Sequence, residues 1–216
     1  MRALRDSAIA GFAAMAAIFT CGAASAATFN LTSGYTAVPG GYQYTVDGIT
    51  LTITAGGFAD NATGNVTPGQ GGARPYIYSP GVGISYNGDN SHTIDGSGQN
   101  DVLILTFSEN VVIDSITFGY FDSNDDFDFF YDSDTNGTLN RVLNNVDIPN
   151  SGVALLASLF TQSGAWFGIG ADGNDDSFKL KSVSVSVVPL PAAAPFFIAG
   201  AGALGFFRRK AKKKTA

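Results

Sequence analysis

Four residue types occur once each in this 216-residue chain, and each scarcity excludes something. Cys21 is the lone cysteine, so no intramolecular disulfide and no paired-thiolate metal or redox site can form. His92 is the lone histidine, which excludes a multi-histidine zinc site. Glu109 is the only glutamate and Trp166 the only tryptophan. Positive charge is also scarce where it would matter. Of twelve basic residues, Arg2 and Arg5 open the chain and six lie within residues 208–214, leaving Arg74, Arg141, Lys179 and Lys181 between. Seventeen of the eighteen acids share that middle stretch, which carries a net charge near −13 although the whole chain carries −6. A body so acidic repels nucleic acid and anionic membrane surfaces.

What is abundant points to strands and turns. Twenty-seven glycines and 17 phenylalanines favour a β-rich fold. In "GITLTITA" (48–55) Ile49, Leu51 and Ile53 alternate with threonines. "DVLILTF" (101–107) is apolar on both faces, as suits a central strand. "VVIDSITFGYF" (111–121) puts Ile116, Phe118 and Tyr120 on one face. In "SFKLKSVSVSV" (177–187), Phe178 and Leu180 hold one parity, whereas Val183, Val185 and Val187 hold the other. All five can face one core only across a bulge near Lys181 and Ser182. "SGVALLASLF" (151–160) fits a strand or a short helix equally. With many short strands and no amphipathic helix, residues 27–187 read as an all-β, antiparallel β-sandwich, jelly-roll-like in its preferred form.

The two ends read as addresses. Arg2 and Arg5, an apolar run from Ala8 to Phe19, and Ala24, Ser25 and Ala26 come in the order of a signal peptide cut after Ala26. Cys21 would leave with that peptide; a lipobox at "FTCG" lacks the leucine three residues before the cysteine. At the other end, residues 192–207 are sixteen uncharged residues, about 24 Å as a helix at ~1.5 Å per residue. With flanking residues they read as a transmembrane helix followed by a basic tail held in the cytoplasm. "GAGALG" (200–205) fits G-x-G-x-x-G, but it follows no strand and has no acid downstream. Its small residues suit helix packing in lipid better than a dinucleotide.

Val188, Pro189, Leu190, Pro191 and Ala192, then "GAGALGFFRRK", resemble the VPLPA variant of the PEP-CTERM sorting signal. The likeness covers residues 188–216, with Leu190 where the commoner form has glutamate. It implies an exosortase as partner, a transient inner-membrane anchor in a Gram-negative bacterium, and then release or anchoring at the cell surface. The body resembles more loosely the exported domains that precede such signals, through "GDNSHTIDGSGQNDVLILTFSENVVIDSITFGY" and "DDSFKLKSVSV". That likeness implies no established activity.

Three acidic clusters invite a chemical reading. Asp122, Asn124, Asp126 and Asp128, then Asp132, Asp134 and Asn136, supply hard oxygens for Ca²⁺. The second group starts like an EF-hand loop, yet Leu143 stands where the bidentate acid belongs. The same residues fit a β-hairpin between "FDFFY" and "TLNRVL", turned at Asn136 and Gly137. Within a strand, Asp126 and Asp128 share a face, where paired carboxylates repel. Asp89, His92 and Asp95 form a second cluster, and Asp172, Asp175 and Asp176 a third; both read most simply as turns. No G-x-S-x-G elbow accompanies His92, and with so many aspartates paired carboxylates arise by chance. The expectation is therefore a non-catalytic, exported cell-surface or extracellular-matrix protein, with Ca²⁺ as a candidate ion. A carbohydrate-binding module contacting extracellular polysaccharide through Tyr76, Tyr78, Tyr86, Tyr120 or Trp166 is the alternative, and a secreted hydrolase the second alternative. Trp166 and Tyr120 are expected in the core.

Overall fold

Fourteen strands follow one another in the computed structural model, which describes residues 26–59, 64–86, 92–132 and 137–188. They are β1 (Ala26–Asn30), β2 (Thr36–Val38), β3 (Gly41–Val46), β4 (Ile49–Phe58), β5 (Val66–Pro68), β6 (Arg74–Tyr78) and β7 (Gly81–Ser85). Then come β8 (Ile94–Asp95), β9 (Asp101–Gly119), β10 (Asp126–Tyr131), β11 (Asn140–Asp147), β12 (Val153–Ala154), β13 (Gly164–Ala171) and β14 (Ser177–Val187). Every pairing among the described residues is antiparallel, so the body is all-β, as the alternation predicts. Of the segment expected as a signal peptide, residues 1–26, all but Ala26 lie outside the described residues, as do residues 189–216, where the transmembrane helix and basic tail are expected. No helix among the described residues is long and apolar enough to cross a membrane.

The 19-residue strand β9 organises the body because it changes partners half-way. Its residues 101–107 lie between β4 and β13, and its residues 111–119 pair with β14 and, at Ile116 and Thr117, with β12. Ser108, Glu109 and Asn110, where the partners change, are exposed. The first half belongs to a ladder running β2-β3-β4-β9-β13-β10-β11. The second belongs to one in which β14 meets β1, β7 and β8 along its other edge, with β6 outermost beyond β7.

One apolar cluster joins both ladders and makes the body sandwich-like. Leu51, Ile53, Leu103, Leu105, Phe127, Phe129, Phe167 and Ile169 enter it from the first ladder. Ala27, Phe29, Val82, Ile84, Ile116, Phe118, Phe178, Leu180, Val183 and Val185 enter it from the second. Burying each large side chain contributes about 1.5–3 kcal/mol, and these rings and branched chains dominate the stability. A smaller cluster of Phe58, Val102, Ile104, Phe130 and Leu139, with Val66 and Trp166 against it, covers the outer face of the first ladder. That second cluster is why "DVLILTF" is apolar on both faces. It also explains the glycines of β13. A Cβ at Gly170 would stand 2.8 Å from the Phe58 ring and one at Gly168 3.1 Å from Phe130 Cβ, so these rings need the empty positions.

The predicted bulge is present. Leu180 pairs with Phe118 but Ser182 with Thr117, leaving Lys181 extra in β14. A compensating slip places Asp114 extra in β9, between Ile113 and Ser115, and its carboxylate accepts the Ser186 hydroxyl at 2.6 Å. Phe178, Leu180, Val183 and Val185 are thereby all fully buried, and Val187 packs partly buried against the same core. "SGVALLASLF" divides into β12 and a 3₁₀ turn at Leu156–Ser158, with only Leu156 of the three leucines buried. Tyr120 departs from expectation. The strand ends at Gly119, Tyr120 takes a left-handed φ of 52°, and its ring turns out to solvent at 63% exposure.

Candidate functional site

The acidic clusters fold into loops closed by their own carboxylates. Asp122 accepts the Asn124 N–H at 3.0 Å, and Asp125 accepts the N–H groups of Asp122 and Ser177 at 2.6 and 2.9 Å. Asp176 reciprocates, accepting the N–H groups of Asp126 and Gly173 at 2.9 and 3.0 Å. The first and third clusters thus staple the loop before β10 to the loop before β14. In the second cluster Asp95 is buried and accepts the Thr93 hydroxyl and the Ser97 N–H. His92 stacks on Tyr76, with ring centroids 4.2 Å apart. Asp89 lies outside the described residues.

Asp126 and Asp128 do share a face of β10, and the structure gives them different partners. Asp128 is buried, accepts the Asn145 N–H at 3.1 Å and pairs with Arg141 at 3.0 Å; Arg141 also pairs with Asp172. Burial raises Asp128 to about 6 despite the Asn145 N–H and the guanidinium. Asp126 is raised to about 6 as well, by burial first and then by the charges of Asp176, Asp128, Asp172 and Asp147. Burial also raises Asp125 and Asp176. At the far end of β10, Asp132 accepts the Gly137 N–H at 3.0 Å, closing the predicted hairpin, since β10 and β11 pair. Asp134 and Asn136, within that turn, lie outside the described residues. Six residues of extended chain place Asp126 about 20 Å from Asp132, so these oxygens do not form one site. Among the described residues no three acidic or histidine side chains converge as ion ligands.

The four cations of the body have separate fates. Arg141 is engaged by Asp128 and Asp172, and Lys181 is exposed on the bulge. Lys179 is 4% exposed and has no acidic partner among the described residues. It packs against Gly81, where a Cβ would stand 3.0 Å from Lys179 Cβ, and pairs across the ladder with Gly119, whose own missing Cβ leaves room for the Pro80 carbonyl oxygen at the turn between β6 and β7. Beneath this turn the ammonium lies 4.8 Å from the centroid of Tyr78 and 5.5 Å from that of Tyr120, and donates to the Tyr78 carbonyl at 3.5 Å. Desolvation lowers its pKa. Sequence reading missed this residue because Gly81, which it packs against, lies about 100 positions away. Arg74, at the start of β6, is exposed and has no ion pair among the described residues.

Around these cations lies a row of tyrosines. On β6, Arg74, Tyr76 and Tyr78 point to one side while Pro75 and Ile77 point inward. β6 has β7 as its sole ladder partner, and a proline suits such an edge. Tyr42 meets Tyr35 edge-on at 4.9 Å. Tyr35, Tyr76, Tyr78 and Tyr120 are all exposed, whereas Tyr86 packs on the core and donates to the Ser97 carbonyl, and Trp166 covers the outer cluster. Two cavities flank the row. One of about 280 Å³ is lined by Tyr120, Phe121, Asp122, Asp125, Asp175 and Ser177. One of about 470 Å³ is lined by small residues of β2, β3 and the 3₁₀ turn at Gln70–Gly72, together with Tyr42, Arg74 and Pro75. Comparison with protein-family models, with curated proteins and with solved structures finds no match to this chain.

Proposed function

We propose that the protein is an exported, non-catalytic component of the cell surface or extracellular matrix, carried there by residues 1–26 and sorted through residues 188–216. The observation that supports this is where the body starts and stops. Ala27, the first residue after the expected cut, pairs with Val185 across β1 and β14, and the Val188 N–H reaches the Asn110 carbonyl at 3.3 Å. The chain therefore enters and leaves the body side by side, immediately inside the two segments that read as addresses. A tether beyond Val188 leaves β1 and β14 intact up to their last residues. The loop at 172–176 lies at the opposite end of β14, about 30 Å away at ~3.3 Å per residue, and projects from the tethered end. A jelly-roll arrangement of the strands belongs to the same proposal, as does handling by an exosortase in a Gram-negative inner membrane. The test is the intact mass and location of the mature chain. The expected form lacks residues 1–26, is cut near residues 188–192 and is recovered outside the inner membrane; uncut chain in the cytosol contradicts the reading.

Carbohydrate binding is a second reading, favoured by the exposed rings of Tyr76, Tyr78 and Tyr120. Tyrosine offers a flat apolar face and a polar edge, which suits a sugar ring and its hydroxyls. Calcium stabilisation belongs to the same proposal, with oxygens from Asp122 through Asn136 as candidate ligands: EDTA should lower the melting temperature of the purified protein, and an unchanged value with no calcium by elemental analysis removes the ion.

A further inference from the structure

We propose that the 470 Å³ cleft beside β6 binds a carboxylate-bearing saccharide, with Arg74 taking the carboxylate, Tyr42 against the sugar, and Tyr76, next along the same side of β6, meeting the adjoining unit. This rests on the carbohydrate reading above and narrows it to acidic sugars. The body has seventeen acids, yet among the described residues none lines this cleft, and Arg74 is the one charged side chain that does. A guanidinium left without a carboxylate in so acidic a protein is matched to an acid that comes from outside. Its planar fork takes a carboxylate through two parallel N–H···O bonds, a geometry lysine does not offer.

The walls fit a sugar rather than a peptide strand. The cleft is walled by β2, β3 and the 3₁₀ turn as well as by β6, so its contacts are side chains and glycines rather than the ladder groups that strand addition uses. The floor is small, with Gly40, Gly41, Gly69, Gly72 and Ala73, and the volume lies within the range of small-ligand sites, about 300–1,000 Å³. Tyr76 and Tyr78 continue from Arg74 along the same side of β6, a run of about 13 Å at ~3.3 Å per residue, so a polymer can extend past the cleft. The global charge opposes an anion only weakly, because physiological salt screens charges more than about 8 Å away. At contact, Arg74 decides.

The test is isothermal titration of the full chain, purified in detergent, with polygalacturonate, and with the same polymer after methyl esterification as a neutral control. Polygalacturonate is expected to bind, its affinity to fall as salt rises, and the ester to bind about tenfold or more weakly, as the loss of one charge-assisted bidentate contact predicts. Arg74→Gln should bring polygalacturonate down to the affinity of the ester, and Tyr76→Ala should weaken both polymers. Both residues are exposed, and an unchanged melting temperature shows that the variants fold. Equal binding of acid and ester, or an Arg74→Gln protein that binds as the parent does, overturns the acidic-sugar inference and leaves the carbohydrate reading standing. Binding of neither polymer, and of no neutral glycan, removes both.

Discussion

The acidic loops and the tyrosine strand differ in what folding leaves over. Around residues 122–128 and 172–177, Asp122, Asp125, Asp128 and Asp176 each accept a backbone N–H, and Arg141 is held by two aspartates. Around β6, Arg74 has no ion pair among the described residues, and Tyr76 and Tyr78 stay exposed although one meets His92 and the other Lys179. The region richest in chemistry-bearing residues is thus occupied by its own architecture, and the sparser region is where capacity for a ligand remains. Abundance of aspartate reflects how well a short carboxylate closes a loop on its own backbone.

Substitutions can break or sharpen this contrast. The largest effect is expected for Arg141→Leu, which strands the buried carboxylate of Asp128 and should cost about 3 kcal/mol at pH 7 in urea unfolding. The loss should shrink at pH 5, because Asp128 accepts a proton near 6. Asp125→Ala comes next. It leaves the N–H groups of Asp122 and Ser177 without their acceptor, and should cost about 2 kcal/mol. Asp126 provides a pH test. Its folded value near 6 exceeds the ~3.9 of an unfolded aspartate, so its contribution is full below about pH 4 and is lost as pH rises through 6. The melting temperature should therefore rise between pH 7 and pH 5, and Asp126→Asn should flatten that rise. Smaller effects belong to the strand: Tyr78→Ala should cost about 0.5–1 kcal/mol, because its ring lies over the Lys179 ammonium. Lys179→Met, which keeps the stem and removes a desolvated charge lacking a counter-ion, should be neutral or stabilising by up to ~1 kcal/mol.

The same contrast governs what could be read from the residues in order. Strand β14 was legible to the level of its bulge, since the parity of Phe178 and Leu180 against Val183 and Val185 leaves no other way to bury all four. The double-faced strand at 101–107 was legible too, because both parities are apolar. Tyr120 was not: parity places it with Ile116 and Phe118, and nothing local announces that the strand stops one residue earlier. Lys179 was illegible for a stronger reason. Its burial depends on Gly81 and on the rings of Tyr78 and Tyr120, which only the tertiary fold brings to it. The acidic clusters were visible as groups, but their partners, Ser177 for Asp125 and Asn145 for Asp128, lie 52 and 17 residues away. The Arg74 cleft needed the β2–β3 hairpin beside β6, a contact no periodicity encodes.

The claim that loops are structural and the strand is functional is tested most directly by a crossed comparison of two variants. Polygalacturonate affinity and melting temperature are measured side by side for Arg74→Gln and Asp125→Asn. The account predicts that Arg74→Gln loses about tenfold in affinity at an unchanged melting temperature, and that Asp125→Asn melts earlier but binds as the parent protein does when assayed below its melting temperature. Loss of binding in Asp125→Asn with full binding in Arg74→Gln would contradict it.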